Sequence, residues 1–483
     1  MEEVIESVHR SAGGASRGVA AEDSRDAADI FAAHLAATRY EHLPPAVIAA
    51  TKAAVLDTLG CLLAGTGTPE SDAIVSLVAE RGGRTSSTVV GRAIKLPAES
   101  AVLANAAAIH QYDFDDTHDT AICHPSSASL IPALALAEQA GGVSGKDLIT
   151  AVALANDFTS RVALAIRGRL TDYVWFRAPV VGVFGATAAA CCVLGASEGQ
   201  HANALGLMLP MIGGTLSSLQ HGGSSVRAIR DGLAYRNAVL AAELALRGIR
   251  GDRNVLEGPF GFYHAFFRGE YDRDKLLGGL GERYETTEVS LKPWPAIRHL
   301  HRTLSCVADI MAAHELHFDD IEQVTVHVGR INLDRCRPVS RGAIPALRMD
   351  LLGNLPFAVG TFIRHRGIPL AVYRDPAMAD DVIVNAMPKV TWIEDESLDG
   401  PWTFEPAHVE VVLCSGERHT RKRKVSKGHP SDPMSSGERE TKFHDCASVA
   451  ARPLDHSRAA EIVGWVDGLE NVRDVSRLGE LLA

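Results

Sequence analysis

The chain has 483 residues, is 46% hydrophobic and carries a formal net charge of −11. That length can bury more than one core, and the acidic balance excludes nucleic acid as the main partner, since phosphate binding needs a concentrated basic surface. Eight cysteines without a CxxC pair, no secretory apolar core and no uninterrupted run of about eighteen apolar residues point to a cytoplasmic protein outside the membrane.

In chain order, residues 1–25 are polar and acidic and are expected to be disordered. From Asp26 to about Phe267, apolar residues recur at three-to-four spacing in "DIFAAHLAATRY", "PPAVIAATKAAVLDTLGCLLAG", "SGKDLITAVALANDFTSRVALAI", "VVGVFGATAAACCVLGA" and "AYRNAVLAAELALRG". These predict close-packed helices, the first part of a helical domain over 26–285. The texture then turns to strand-like alternation in "IEQVTVHVGRI", "PKVTWIED" and "AHVEVVLCSG", interrupted by the helical "HRTLSCVADIMAAHEL" and "LPFAVGTFIRH". This marks a smaller α/β unit over 286–428, after which 429–483 reads as helix again. The expected fold class is mainly α with an α+β insertion: a large all-helical domain with a smaller α/β domain set into it, the interface being a common place for a ligand.

One stretch concentrates chemistry. "YDFDDTHDTAICHPSS", Tyr112 to Ser127, holds four carboxylates, two histidines and a thiol. Its "DDTHD" matches the DDxxD pattern with which helical prenyl-diphosphate enzymes hold Mg²⁺, but the second motif they need is incomplete in "NDFTSRVAL", where Leu164 replaces Glu. A calcium loop fails because His118 stands where Gly is required, and the histidines and Cys123 lack regular zinc spacing. No metal is therefore expected. Proton transfer fits better: Ser126 and Ser127 precede "ASLIPALALAE" as a capped helix start, which sets His124 at the positive helix end beside an anionic substrate. There His124 can exchange a proton near neutral pH, with Asp113 orienting it or taking a second proton.

Further candidates are sparser. "LQHGGSS" offers backbone N–H groups and His221 to an anion, or is a plain hinge. Lys292 in "LKPWPAIRHLH" can reach the cleft as a carboxylate-binding cation, while His299 and His301 read equally well as structural. Cys123 lacks a base beside it, and "RKRKVSK" reads as a solvated strand end.

"DFDDT" followed by "HPS", together with "LDTLGCLLAG", "LEGPFGFY", "LKPWPAIRHLH" and "GHPSDPMSSGERETKF", resembles the MmgE/PrpD family across almost the whole chain past residue 26. That family includes 2-methylcitrate dehydratase, cis-aconitate decarboxylase and iminodisuccinate epimerase. The resemblance implies a helical domain with an α/β lid, no cofactor, a homodimer, and a small polycarboxylate bound between domain and lid. It places the catalytic Asp, Thr and His on Asp113, Thr117 and His124. The family's usual Lys becomes Arg227, which keeps the charge and can clamp a carboxylate with two hydrogen bonds but cannot act as a neutral amine. The family's Tyr becomes Phe357. A second His is replaced by Phe176, Arg177 or Tyr173, depending on the alignment, so Arg177 and Tyr173 join the substrate-binding candidates. These replacements argue against an unchanged decarboxylase, and the expected function is a dehydratase-type, metal-independent lyase acting on a citrate-like acid. The alternatives are an epimerase of a dicarboxylate, a cis-aconitate-type decarboxylase, and a family member that only binds a carboxylate.

Overall fold

Small side chains along the alanine-rich segments let helices approach until backbone nearly touches backbone. The computed structural model describes residues 25–168, 172–219, 224–336, 348–400 and 404–483. Residues 1–24 of the segment 1–25 expected to be disordered, and His221, lie outside the described residues. Helices Pro125–Ala140, Gly145–Ala165, Arg177–Val193 and Val226–Leu246 pack on one another, and Ala98–Ile109 lies against the last of these. At that contact a Cβ on Gly232 would overlap Leu103 O, so glycine is what permits the approach. Serine caps fix several helix starts: Ser144, Ser197 and Ser435 each form a capping box, with Asp147, Gln200 and Glu438 respectively.

Two helices, Pro45–Thr66 and Gly145–Ala165, are long and apolar enough to cross a membrane, but 67% and 94% of their apolar windows are buried inside the protein. Their hydropathy reflects a central place in the core. Helix Ser436–Ser448, in the segment after the sheet, returns to pack on Pro45–Thr66.

The strand-like segments form a four-stranded mixed sheet in the order Val390–Glu394, Ile321–Val328, Ala407–Leu413, Arg418–Arg423. The first two strands are parallel and the other pairings antiparallel. Val324, Val326, Val328, Val409 and Val411 are buried, and helices His301–Ala313 and Leu355–His365 pack against the sheet. The protein is thus mainly helical with a smaller α/β part, as the change of period predicts. The basic run is an edge strand whose Arg421 and Arg423 pair with Asp309. Two short pairings, Ser87–Val89 with Ile94–Leu96 and Thr117–His118 with Val289–Ser290, escape the sequence reading because two or three residues show no period.

Candidate active site

Helix Ala98–Ile109 runs into a single turn, His110–Tyr112, and Asp113 then adopts a left-handed conformation (φ 47°, ψ 40°). Aspartate is among the few residues that tolerate it. The reversal sends Phe114–Asp116 through the interior, and Thr117 pairs with Ser290 across the short ladder. Lys292, two residues on, is thereby carried to Asp113. Gly428 secures this segment: its N–H and C=O bond Asp432 O and Leu291 N, and with φ at 87° a Cβ would overlap Leu291 O. From helix Ser436–Ser448 the buried Lys442 donates to Asp57 Oδ1 at 2.6 Å, Phe114 O at 2.8 Å and Lys292 O at 3.0 Å.

The Asp113 carboxylate is gripped by two cations. Lys292 Nζ pairs with Oδ1 and also donates to Asp113 O at 2.7 Å, while Arg227 pairs with Oδ2. Burial opposes its ionisation, but Lys292 and Arg227, with His110 and His124 beyond them, hold the carboxyl well below its ordinary range. Asp115 is also kept ionised against burial, by His124 and His110, which lie 3.2 and 3.0 Å from its two oxygens. Asp116 differs. Burial, opposed by its bond from Ser126 N and reinforced by Asp115 and Asp57, pushes it up to about 8, so it is a neutral acid at pH 7.

His124 is the N-cap of helix Pro125–Ala140, which starts before the two serines rather than after them, so Ser126 and Ser127 lie in its first turn. Its Nδ1 is 2.6 Å from Asp116 O, an acceptor only, which fixes the proton on Nδ1 and leaves the Nε2 lone pair open. Burial lowers its pKa to about 4, opposed by Asp115. The ring is therefore neutral at pH 7, and a bound anion would raise its basicity.

Asp113, His124, Arg227 and Lys292 thus come together. Thr117 lies in the same loop, buried, with no hydrogen-bond partner for Oγ1 among the described residues. Arg177 opens helix Arg177–Val193, buried near Cys123, with one guanidinium nitrogen likewise unpartnered. Tyr173 is held elsewhere: its hydroxyl lies 2.8 Å from Arg167 O and 3.0 Å from Glu270 Oε2, and no described contact brings it to Asp113 or His124. Burial pushes the Cys123 thiol well up, which suits packing rather than nucleophilic attack.

Sequence reasoning missed several members. His110, in the helix end just before the motif, bonds Asp115 through Nδ1 and faces Arg230 at 3.4 Å through Nε2. Arg230 stacks 3.4 Å over the Phe176 ring, so this phenylalanine serves as a face for a buried guanidinium. The spacing Arg227–Arg230, one helical step, was the available signal. Arg348 bonds Gln111 O at 3.0 Å, Gln111 Oε1 at 2.6 Å and Glu70 Oε2 at 2.9 Å, tying the α/β part to the turn before Asp113. Phe357 is fully buried and packs on Tyr373, whose hydroxyl donates to Pro295 O at 2.7 Å. His110, Asp115 and His124 also offer three ligand atoms within 4.8 Å of one another, a set that could hold a cation.

A helical protein with an α/β part and a buried cluster of carboxylates, imidazoles and cations is the class defined so far. The chain belongs to the MmgE/PrpD family: the family's N-terminal domain model matches residues 29–274 and its C-terminal domain model residues 294–466. It is similar to the cis-aconitate decarboxylase of Mus musculus, 26% identical over 94% of this chain and 92% of that protein. The cis-aconitate decarboxylase of Aspergillus terreus is 25% identical over 92% and 93% of the two chains. The cis-aconitate decarboxylase-like protein oryM of Aspergillus oryzae is 25% identical over 91% and 94%.

Proposed function

We propose that this protein is a lyase acting on a small citrate-like polycarboxylate by general acid–base proton transfer. The observation that carries the reading is the meeting of two cations, buried Lys292 and partly buried Arg227, on Asp113 beside a neutral histidine with a free Nε2. Around it lie buried polar atoms with no hydrogen-bond partner among the described residues, Thr117 Oγ1, Asp116 Oδ2, Arg177 Nη2, Arg227 Nε and Arg230 Nη1. Native proteins leave few such atoms unmatched, so a polar ligand is the natural complement. Relatives named as decarboxylases of cis-aconitate support the same substrate class.

In this reading Lys292 and Arg227 neutralise a substrate carboxylate, and Asp113 positions both. Dehydration uses the site's two protonation states. His124 Nε2 takes the proton α to a carboxylate; neutral Asp116 gives its proton to the departing hydroxyl, which leaves as water, and the former C–H electron pair becomes the alkene π bond. Decarboxylation is the second reading, favoured by the relatives' names: a C–C bond breaks, CO₂ leaves, the bond's electron pair stays on carbon, and neutral Asp116 gives its proton to that carbon. Incubating the enzyme with ¹³C-labelled citrate, 2-methylcitrate and cis-aconitate separates them. An alkene with every carbon retained supports dehydration; labelled CO₂ establishes decarboxylation and rejects the dehydratase assignment.

A further inference from the structure

The outer face of the sheet carries a group unrelated to the buried cluster. In the antiparallel pair Ile321–Val328 with Ala407–Leu413, His327 stands directly opposite His408. Alternation along each strand sends Val326, Val328 and Val409 into the core and both histidines outward. Their rings stack with centroids 4.0 Å apart and planes 17° from parallel. The parallel neighbour Val390–Glu394 ends one residue before Asp395, whose N–H donates to Val328 O at 2.9 Å and so seats it at the end of the same face. Asp395 Oδ1 accepts from Ser397 N at 3.0 Å and Ser397 Oγ at 2.6 Å. That turns Oδ2 toward His327 Nδ1, 3.5 Å away.

We propose that His327, His408 and Asp395 form a binding site for a divalent transition-metal ion of the class that imidazole and carboxylate take together, such as Zn²⁺. One ligand atom from each lies within 4.8 Å of the others. The histidine χ2 torsion is soft, so small rotations converge the two lone pairs on one ion. The Ser397 bonds to the far carboxylate oxygen are the outer-shell support that metal-binding carboxylates need. Side chains of His327 and Asp395 are 23% and 25% exposed, open to an ion yet held by the sheet. Lys422 stands across from His408 on the edge strand and is long enough to turn away from the ion, while Glu410, two residues along, is held by Arg418 at 2.8 Å. Three protein ligands leave a coordination position for water, and the ion would pin the parallel edge strand to the centre of the sheet.

Isothermal titration of the EDTA-treated full chain with Zn²⁺ tests this, using wild type, His327→Ala, His408→Ala and Asp395→Asn. The expected result is one Zn²⁺ site per chain, at least tenfold weaker in each histidine variant, and a Zn²⁺-dependent rise in Tm that His408→Ala abolishes. The site should persist in His124→Ala, which removes the other His–Asp–His group. Equal stoichiometry and affinity in wild type and His408→Ala, or loss only in His124→Ala, would overturn the proposal.

Discussion

At the scale of single residues, three acids four positions or less apart in sequence have three different fates, and the cause is their neighbours. Asp113 faces two full cations, Asp115 two imidazoles, and Asp116 chiefly a backbone N–H and other carboxylates. The folded protein holds the Asp116 proton up to about pH 8, whereas the unfolded chain releases it near 3.8. This contribution to stability is complete below 3.8 and is lost as pH rises through 8. Asp116→Asn cannot ionise, so its Tm relative to wild type should climb by a few degrees between about pH 4 and 8; a constant difference in thermal melts across that interval would contradict the assignment. His124→Ala should cut turnover by about 10²–10⁴-fold. Arg227→Ala should raise KM several-fold with a smaller effect on kcat, as expected for loss of uniform binding; steady-state kinetics with both values unchanged would remove Arg227 from the site.

Elements position these residues, and the most exacting joints are between segments far apart in sequence. Lys442, on helix Ser436–Ser448, ties that helix to Asp57 of helix Pro45–Thr66, to the Asp113 loop and to the Lys292 segment through three hydrogen bonds. Lys442→Met strands Asp57 in the core, and a cost of about 3–5 kcal/mol is expected by denaturant titration. The large helices and three of the main strands are legible in the sequence because their apolar periods run for several residues. So is the cluster's centre, because the acids, His124 and the following helix start lie in one short stretch. His110, Arg230 and Arg348 were not legible as site members: they arrive from a helix end, another helix and a distant segment, and only tertiary contacts reveal them. The helix starts earlier than the two serines suggest because a proline at the first helical position needs no serine before it. Tyr173 was drawn in by sequence alignment alone, and its hydroxyl has found Glu270 instead.

For the whole molecule, helix Val226–Leu246 presents Val226, Leu233 and Leu240 at seven-residue intervals, 49%, 46% and 38% exposed. An apolar stripe of this spacing on the helix that carries Arg227 and Arg230 fits the homodimer that the family resemblance implies, and we propose it as the interface. Light scattering should give a particle of two 51.5 kDa chains, and Leu233→Glu with Leu240→Glu should shift it to one; an unchanged mass in the double variant would place the interface elsewhere. Above these claims stands the chemical one, that the buried cluster moves protons to and from the carbon skeleton of a polycarboxylate. Proton NMR in D₂O tests it most directly, with EDTA-treated wild type and His124→Ala against citrate, 2-methylcitrate, cis-aconitate and iminodisuccinate. Deuterium incorporation or a new alkene signal is expected for at least one acid in wild type, with its loss in His124→Ala. No change with any acid, or wild-type rates without the His124 imidazole, would contradict it.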